Sequence, residues 1–537
     1  MVVDALRPGP PAPPSPEEAE PAPHRRLAAR LAAVRISGWM VAAAVIALTL
    51  GSLALRTGQL NFYYWIDEAI SVGISSHPLG QLHALLRQDG SPPLYYVVLH
   101  VWMQVFGHGE VATHELSLAF GVLTVPAAYW GGSSLFGRRT GIYAAVLAAG
   151  LPFLTTYAQE TRMYSLLALL SLIVAVGFTH AFVYGRRRYL PVFSIALAAA
   201  LYTHNWALFL GLATFIAFLF IAWRAPAPRR ALWRDGAIGF GVVALLYLPW
   251  LPTLIYQAQH TGAPWALAPV LWSLSEGLYF LTGGRGAAVA LLLAAGTGLL
   301  ALRGAPPRER STGAAAIALA ILGFGTLLIA WTYAKTTPAW SGRYLAVIVG
   351  PLLVLVALGL SRAKGLGVVA LVLVSCFWVL DPRMTSRDAK SNVASVAAAM
   401  RPHLRADTLV LSTQPEQVPT LAYYLPRIAR FASPLGVVPD PRVMDWRNAL
   451  ARFERSSVRS VLAPMVGTLA PGQRVLLVIP TAFPKAPTWM KLIHRDSRTW
   501  LGYLSTDPSL QLIKEASPHA YNANTGVRGF LFRVRRG

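Results

Sequence analysis

The sequence predicts an all-α polytopic membrane domain followed by an α/β domain on the extracytoplasmic side. Three observations lead there. The 537-residue chain is 55% hydrophobic and 13% charged, with mean hydropathy +0.48, and several apolar runs approach or exceed the roughly 18 residues that cross a bilayer core. The basic residues collect in short loops between those runs, as membrane topology demands. From about Asp381 the apolar runs shorten, and polar helical patterns alternate with β-type runs. The net charge of +24 therefore follows from topology, and no nucleic-acid partner is expected.

Residues 1–37 are Pro-rich and polar, and read as a disordered cytoplasmic tail. Arg25, Arg26, Arg30 and Arg35 precede an apolar run too long for a signal core, so it reads as a retained anchor. Eleven spans are expected, at roughly 38–55, 116–136, 140–157, 163–184, 189–204, 206–223, 232–252, 286–302, 312–331, 344–361 and 366–380. Basic loops at Arg138-Arg139, Arg186-Arg187-Arg188, 224–234, 303–310 and 362–364 then face the cytoplasm. Residues 93–107 are apolar but too short to cross, and read as a helix at the outer interface. The first outer loop thus covers 56–115, with interfacial helices near 67–88 and 93–107. The membrane domain ends near 380. The rest, 381–537, has helical patterns at 391–404 and 442–455, and β-type runs at 409–411, 475–479 and 530–534. It carries 22 Lys+Arg against 10 Asp+Glu, a basic outer face that suits anionic lipid or an acidic polymer, or plain solvation. The single cysteine, Cys376, forms no intrachain disulfide.

Acids are scarce. Between Ser37 and Leu380 there are nine: Asp67, Glu68, Asp89, Glu110, Glu115, Glu160, Asp235, Glu276 and Glu309. On this topology seven face outward; Asp235 and Glu309 do not. Asp67 and Glu68 follow the first span inside the aromatic stretch Tyr63-Tyr64-Trp65. Glu160 and Tyr164, four apart at an expected helix start, can share a cavity; a helix cap with a local ion pair is the plainer role. Arg343 opens a span, as lipid-phosphate ligand or as interfacial anchor.

One chemistry fits. A sugar on a polyprenyl phosphate departs from an anion of low basicity, so no general acid is needed. A carboxylate must take the acceptor's proton, and cations must hold the phosphate. Asp67, Glu68 or Glu160 can be the base; Arg162, Lys335 and Arg343 can hold phosphate. The chain has no HExxH, P-loop or dinucleotide fingerprint, and no His/Cys cluster of structural-zinc spacing. No cofactor is called for, and no metal ligand is assigned.

The motifs carry a family likeness. Asp67-Glu68, Ser91-Pro92-Pro93-Leu94-Tyr95-Tyr96, residues 121–126 (GVLTVP), Tyr157-Ala158-Gln159-Glu160-Thr161-Arg162-Met163-Tyr164, Tyr202-Thr203-His204 and Gly342-Arg343-Tyr344 together resemble the GT-C glycosyltransferases. Within them the likeness is to the bacterial branch related to protein O-mannosyltransferases and the aminoarabinose–lipid A transferase. It covers roughly 38–380. It implies a polyprenyl-phosphate sugar donor, a protein, lipid or glycan acceptor, inversion, and catalysis at the outer membrane face. It favours Asp67 as base and adds Tyr164, Tyr344, His204, Asp89 and Tyr95 as substrate-binding candidates. The chain departs from the family at Ser91, where His is usual, and at Thr113-His114-Glu115, where Arg is common. Mannose is the first expectation for the sugar, with arabinofuranose or another pentose behind it. A lipid or solute transporter, and a non-catalytic assembly protein on the same scaffold, remain alternatives. Against the first stand the lack of a clear internal repeat and the gathering of charge at one membrane side.

Overall fold

The long apolar runs close into helices because lipid offers no partner for backbone N–H and C=O groups. The computed structural model describes residues 37–225, 229–304, 309–381, 390–426, 428, 430–481, 487–519 and 526–535. The expected disordered tail lies outside them, apart from Ser37. The chain divides between Ala44 and Val45 into two units. The smaller holds the start of the first helix, α1 (Gly38–Leu55), and the larger, residues 45–537, holds the remaining described elements. Helices over Ile66–Ser75 (α2), Leu79–Asp89 (α3), Leu94–Phe106 (α4), Glu110–Phe136 (α5), Arg138–Gly150 (α6), Pro152–Ala158 (α7), Tyr164–Phe178 (α8), Leu190–Leu201 (α9) and Ala207–Arg224 (α10) come next. Arg230–Tyr247 (α11), Leu251–His260 (α12), Trp272–Thr282 (α13), Arg285–Leu300 (α14), Arg310–Ala320 (α15), Thr326–Thr336 (α16), Ala346–Arg362 (α17) and Gly365–Val379 (α18) complete the membrane part.

Among the described residues eight helical stretches are long and apolar enough to cross a membrane, and nine if α6 and α7, bent by 53°, form one span. This is a multi-pass membrane protein. Two of the eleven expected spans, at 189–204 and 366–380, are the shorter helices α9 and α18, of 12 and 15 residues. The bend inside the expected 140–157 span falls at Pro152, which has no N–H to continue α6. Pro78 likewise splits the single helix expected near 67–88 into α2 and α3.

The residues after 390 form the expected α/β domain. Its six-stranded sheet has the order β3-β2-β1-β4-β6-β5, with β1 Leu409–Ser412, β2 Arg430–Ser433, β3 Gly436–Val438, β4 Arg474–Pro480, β5 Leu510–Ala516 and β6 Val527–Val534. β2, β1 and β4 run parallel, and the other pairings are antiparallel. The central strands β1 and β4 are apolar apart from Ser412 and Arg474, because both faces are covered. Val410, Leu476 and Val478 pack under helices α19 (Val393–Met400) and α20 (Val418–Tyr424). Leu409, Leu411, Val475 and Leu477 pack on the other face. The helix expected at 442–455 begins only at Ala449 (α21, Ala449–Glu454). Before it, the backbone N–H groups of Trp446 and Asn448 donate outward, to Gln88 O (3.0 Å) and His260 O (2.7 Å).

This domain sits directly on the segment between α1 and α5. The Tyr64 N–H donates to the Tyr424 hydroxyl (2.7 Å), which donates to Glu110 Oε1 (3.0 Å). A Cβ on Gly73 would lie 2.0 Å from the Arg442 carbonyl oxygen, so only glycine lets the two backbones meet there.

Candidate active site

The acidic pair opens α2, where the helix dipole favours negative charge. One helical step separates the two carboxylates into different roles. Glu68 turns inward and is fully buried. Its Oε1 accepts from His114 Nε2 (2.7 Å) and the Thr161 N–H (2.9 Å), and its Oε2 accepts from the Trp65 N–H (3.3 Å). The last contact is half of a capping box. His114 Nδ1 reaches Leu60 O at 2.7 Å. Glu68 thus ties the 60–65 turn to α5 and the 159–163 turn. Burial pushes its carboxyl up, but Lys390, His114 and these hydrogen bonds outweigh that and hold it below the usual carboxylate range.

Asp67 turns the other way, into a cavity of about 440 Å³. Arg343 Nη1 lies 3.0 Å from its Oδ2, and Arg162 Nε 4.0 Å. Arg162 is aimed by Nη1 bonds to Asp67 O (3.2 Å) and Ser71 Oγ (2.9 Å). The Arg343 guanidinium stands 5.4 Å from the Trp65 ring centre and 5.0 Å from that of Trp265. His204 Nδ1 accepts from the Trp206 N–H (3.1 Å), which leaves the ring proton on Nε2. Burial, then Arg162 and Arg343, depress this imidazole to about 3, so it is a neutral donor. Asp89, on the same cavity, is pushed up to about 6 by burial. Leu208, Phe209 and Tyr333 also line the cavity, on α10 and α16; Leu208 and Tyr333 are exposed on the surface of those apolar helices.

Of the residues expected from sequence, the cavity therefore gathers Asp67, Asp89, Arg162, His204, Arg343 and Tyr344. Others stand apart from it. Lys335 is exposed on α16, its ammonium 4.7 Å from the Trp331 ring centre; it stands about half a helical turn from the cavity-lining Tyr333. Tyr95 is fully buried with its hydroxyl 3.1 Å from Ser117 Oγ. Tyr164 is buried beneath the site, its ring 5.9 Å from His204 and 6.3 Å from Tyr344. Glu160 does not share a helical face with Tyr164: residues 159–163 form a bend, and α8 starts only at Tyr164. Its Oε1 is 3.3 Å from Lys390 Nζ. Burial raises the Glu160 carboxyl; Lys390 opposes this and Glu68 adds to it.

Lys390 was not legible in the sequence. It follows the last apolar helix, carries no motif, and reaches back across the fold to 3.7 Å from Glu68 and 3.3 Å from Glu160. Trp446 and Trp265 also line the cavity. Neither sits in a motif, although Trp265 lies in an expected outer loop. Among the described residues no three His, Cys, Asp or Glu side chains are grouped to hold a metal ion.

The membrane helix bundle with its small α/β domain has the GT-C fold, which it shares with the solved structures described next. Residues 90–255 match the family model of dolichyl-phosphate-mannose-protein mannosyltransferase. No curated protein matches the sequence. The structure resembles ArnT from Cupriavidus metallidurans bound to undecaprenyl phosphate, at 15% identity and TM-score 0.58, over 92% of this chain and 98% of that one. It also resembles the oligosaccharyltransferase AglB from Archaeoglobus fulgidus, solved with an inhibitory peptide and dolichol-phosphate, at 13% identity and TM-score 0.52, over 82% and 70%. A third likeness is to the arabinofuranosyltransferase AftD from Mycobacteria, at 16% identity and TM-score 0.51, over 93% of this chain and 40% of that one.

Proposed function

We propose that the protein is a membrane glycosyltransferase that moves a sugar from a polyprenyl-phosphate donor to an acceptor hydroxyl at the outer membrane face, with inversion. The observation that carries this reading is the meeting of Asp67 with Arg343 and Arg162 in one cavity that also reaches apolar residues of α10 and α16. The polyprenyl chain lies along Leu208, Phe209 and Tyr333. The phosphate takes the two guanidiniums, which bind paired oxygens better than an ammonium does. In taking them, it loosens the ion pair that occupies Asp67. The freed carboxylate accepts the acceptor's proton as the acceptor oxygen bonds to the anomeric carbon. The bond from that carbon to the phosphate oxygen breaks, and its electron pair leaves with the polyprenyl phosphate, stabilised by Arg343 and Arg162. His204, neutral with Nε2–H, is placed to donate to a phosphate or sugar oxygen.

Mannose is the proposed sugar, supported by the family match over 90–255; a pentose stands second, supported by the AftD likeness. The acceptor is a hydroxyl of a protein, lipid or cell-wall glycan. In membranes holding the overproduced protein, radiolabelled polyprenyl-phosphate mannose is expected to lose label to an endogenous acceptor. Asp67→Asn keeps the size and removes the base, and should lower turnover roughly 10²-fold or more. Wild-type rates in purified Asp67→Asn would remove Asp67 as the base.

A further inference from the structure

The α/β domain supplies a wall of the cavity. Trp446 lines it beside Asp89, Asn205 and Gln257 and is only half-buried. The loop that carries it is held at several points. His77 Nε2 lies 2.5 Å from Asp440 Oδ2, and Arg447 Nη2 donates to Gln88 Oε1 (3.3 Å). The N–H groups of Trp446 and Asn448 bond to Gln88 and His260 on α3 and α12. Behind the indole stands the fully buried Trp489, 5.4 Å away between ring centres. The ring is thus braced where it borders the cavity.

The neighbouring amides are oriented as well. Gln257, 2% exposed, donates through Nε2 to Leu86 O (2.8 Å) and Ser91 O (3.2 Å), and its buried Oε1 has no partner among the described residues. Asn205 donates through Nδ2 to Gly90 O (3.1 Å), and its buried Oδ1 has none among the described residues. With the Asp89 carboxylate, three acceptor groups border one aromatic platform. Hydroxyl hydrogens satisfy such acceptors, and the C–H face of a sugar ring satisfies the platform.

We propose that Trp446, Asn205, Gln257 and Asp89 form the glycosyl subsite, so that the α/β domain helps select the donor's sugar. This rests on the donor reading of the cavity. The test compares two lipids on the detergent-purified full chain: polyprenyl phosphate, and polyprenyl-phosphate mannose. Wild type should bind the mannosylated lipid more tightly. Trp446→Ala should weaken it roughly tenfold while leaving polyprenyl phosphate unchanged, and Trp446→Phe should recover most of the loss. Trp446→Leu keeps apolar bulk in the wall and should behave as Trp446→Ala does. Equal weakening of both lipids in the folded variants, or no change in either, overturns the subsite and leaves the donor cavity standing. A change confined to acceptor KM overturns it in favour of acceptor binding. Wild type binding neither lipid overturns the donor reading itself, and the subsite with it.

Discussion

Lys390 is the cation shared by the site's two buried acids. Glu68 is fully buried and Glu160 nearly so, and the Lys390 ammonium lies within 4 Å of both. Removing one partner of a buried ionic group leaves charge uncompensated, at about 3 kcal/mol or more. Lys390→Met should therefore lower the unfolding temperature measurably in detergent. Adding Glu160→Gln should restore part of it, because one of the two charges is then gone. Equal melting of the single and double variants would show that the bridge is not the cause. Asp89 makes a pH prediction. Its folded carboxyl titrates near 6 because of burial, with Arg162 opposing and Asp67 adding, against about 3.9 in an unfolded chain. Between those values the native state holds more protons, so the Asp89 contribution to stability is present below about pH 4 and lost as pH rises through 6. Melting curves from pH 4 to 6.5 should show a smaller decline in Asp89→Asn than in wild type, and parallel declines would remove Asp89 as the source.

Between helices, small residues set how closely the elements approach where lipid gives no hydrophobic drive. α8 and α17 meet where the Gly350 N–H donates to Ser171 Oγ (3.0 Å), and a Cβ on Gly350 would lie 2.0 Å from Leu172 N. The atoms nearest that Cβ are helix backbone, so relief requires the helices to part. α8 begins at Tyr164 and α17 follows Arg343, so the shift would carry into the cavity. Gly350→Ala should cost about 1–3 kcal/mol of stability and reduce donor binding, read by thermal unfolding and by polyprenyl-phosphate affinity. An unshifted melting temperature would contradict the packing. The helix breaks at Pro78 and Pro152 act in the opposite sense: each redirects the chain, the first to seat α3 beside the cavity.

Across the molecule, the charged contacts separate into two groups. Arg187 pairs with Asp235 (3.0 Å) and Arg362 with Glu309 (2.5 Å), joining loops that the basic residues assign to the cytoplasm. Asp67, Glu160, Arg162, Arg343 and Lys390 converge with the α/β domain, in loops assigned to the outside. We therefore expect cysteines at Gly109 and Ala263, in a background lacking the exposed Cys376, to react in intact cells with an impermeant thiol reagent. A cysteine at Arg187 should not. Labelling at Arg187 would reverse the proposed orientation.

Local sequence was enough for the class of fold, and for Asp67, Arg162, His204 and Arg343 as site candidates. Apolar length, basic loops and scarce charges are local properties, and each of these residues lies in or beside a local motif. It was not enough to say which acid faces the cavity, because Asp67 and Glu68 are adjacent and differ only by the roughly 100° step of a helix. Nor could it place Lys335, since a cation at a helix end reads alike whichever way the helix is turned. Lys390 and Trp446 belong to the folded molecule alone. Both come from beyond the last apolar helix, and their proximity to residues 67–89 and 160 is created only when the α/β domain closes on the outer loop.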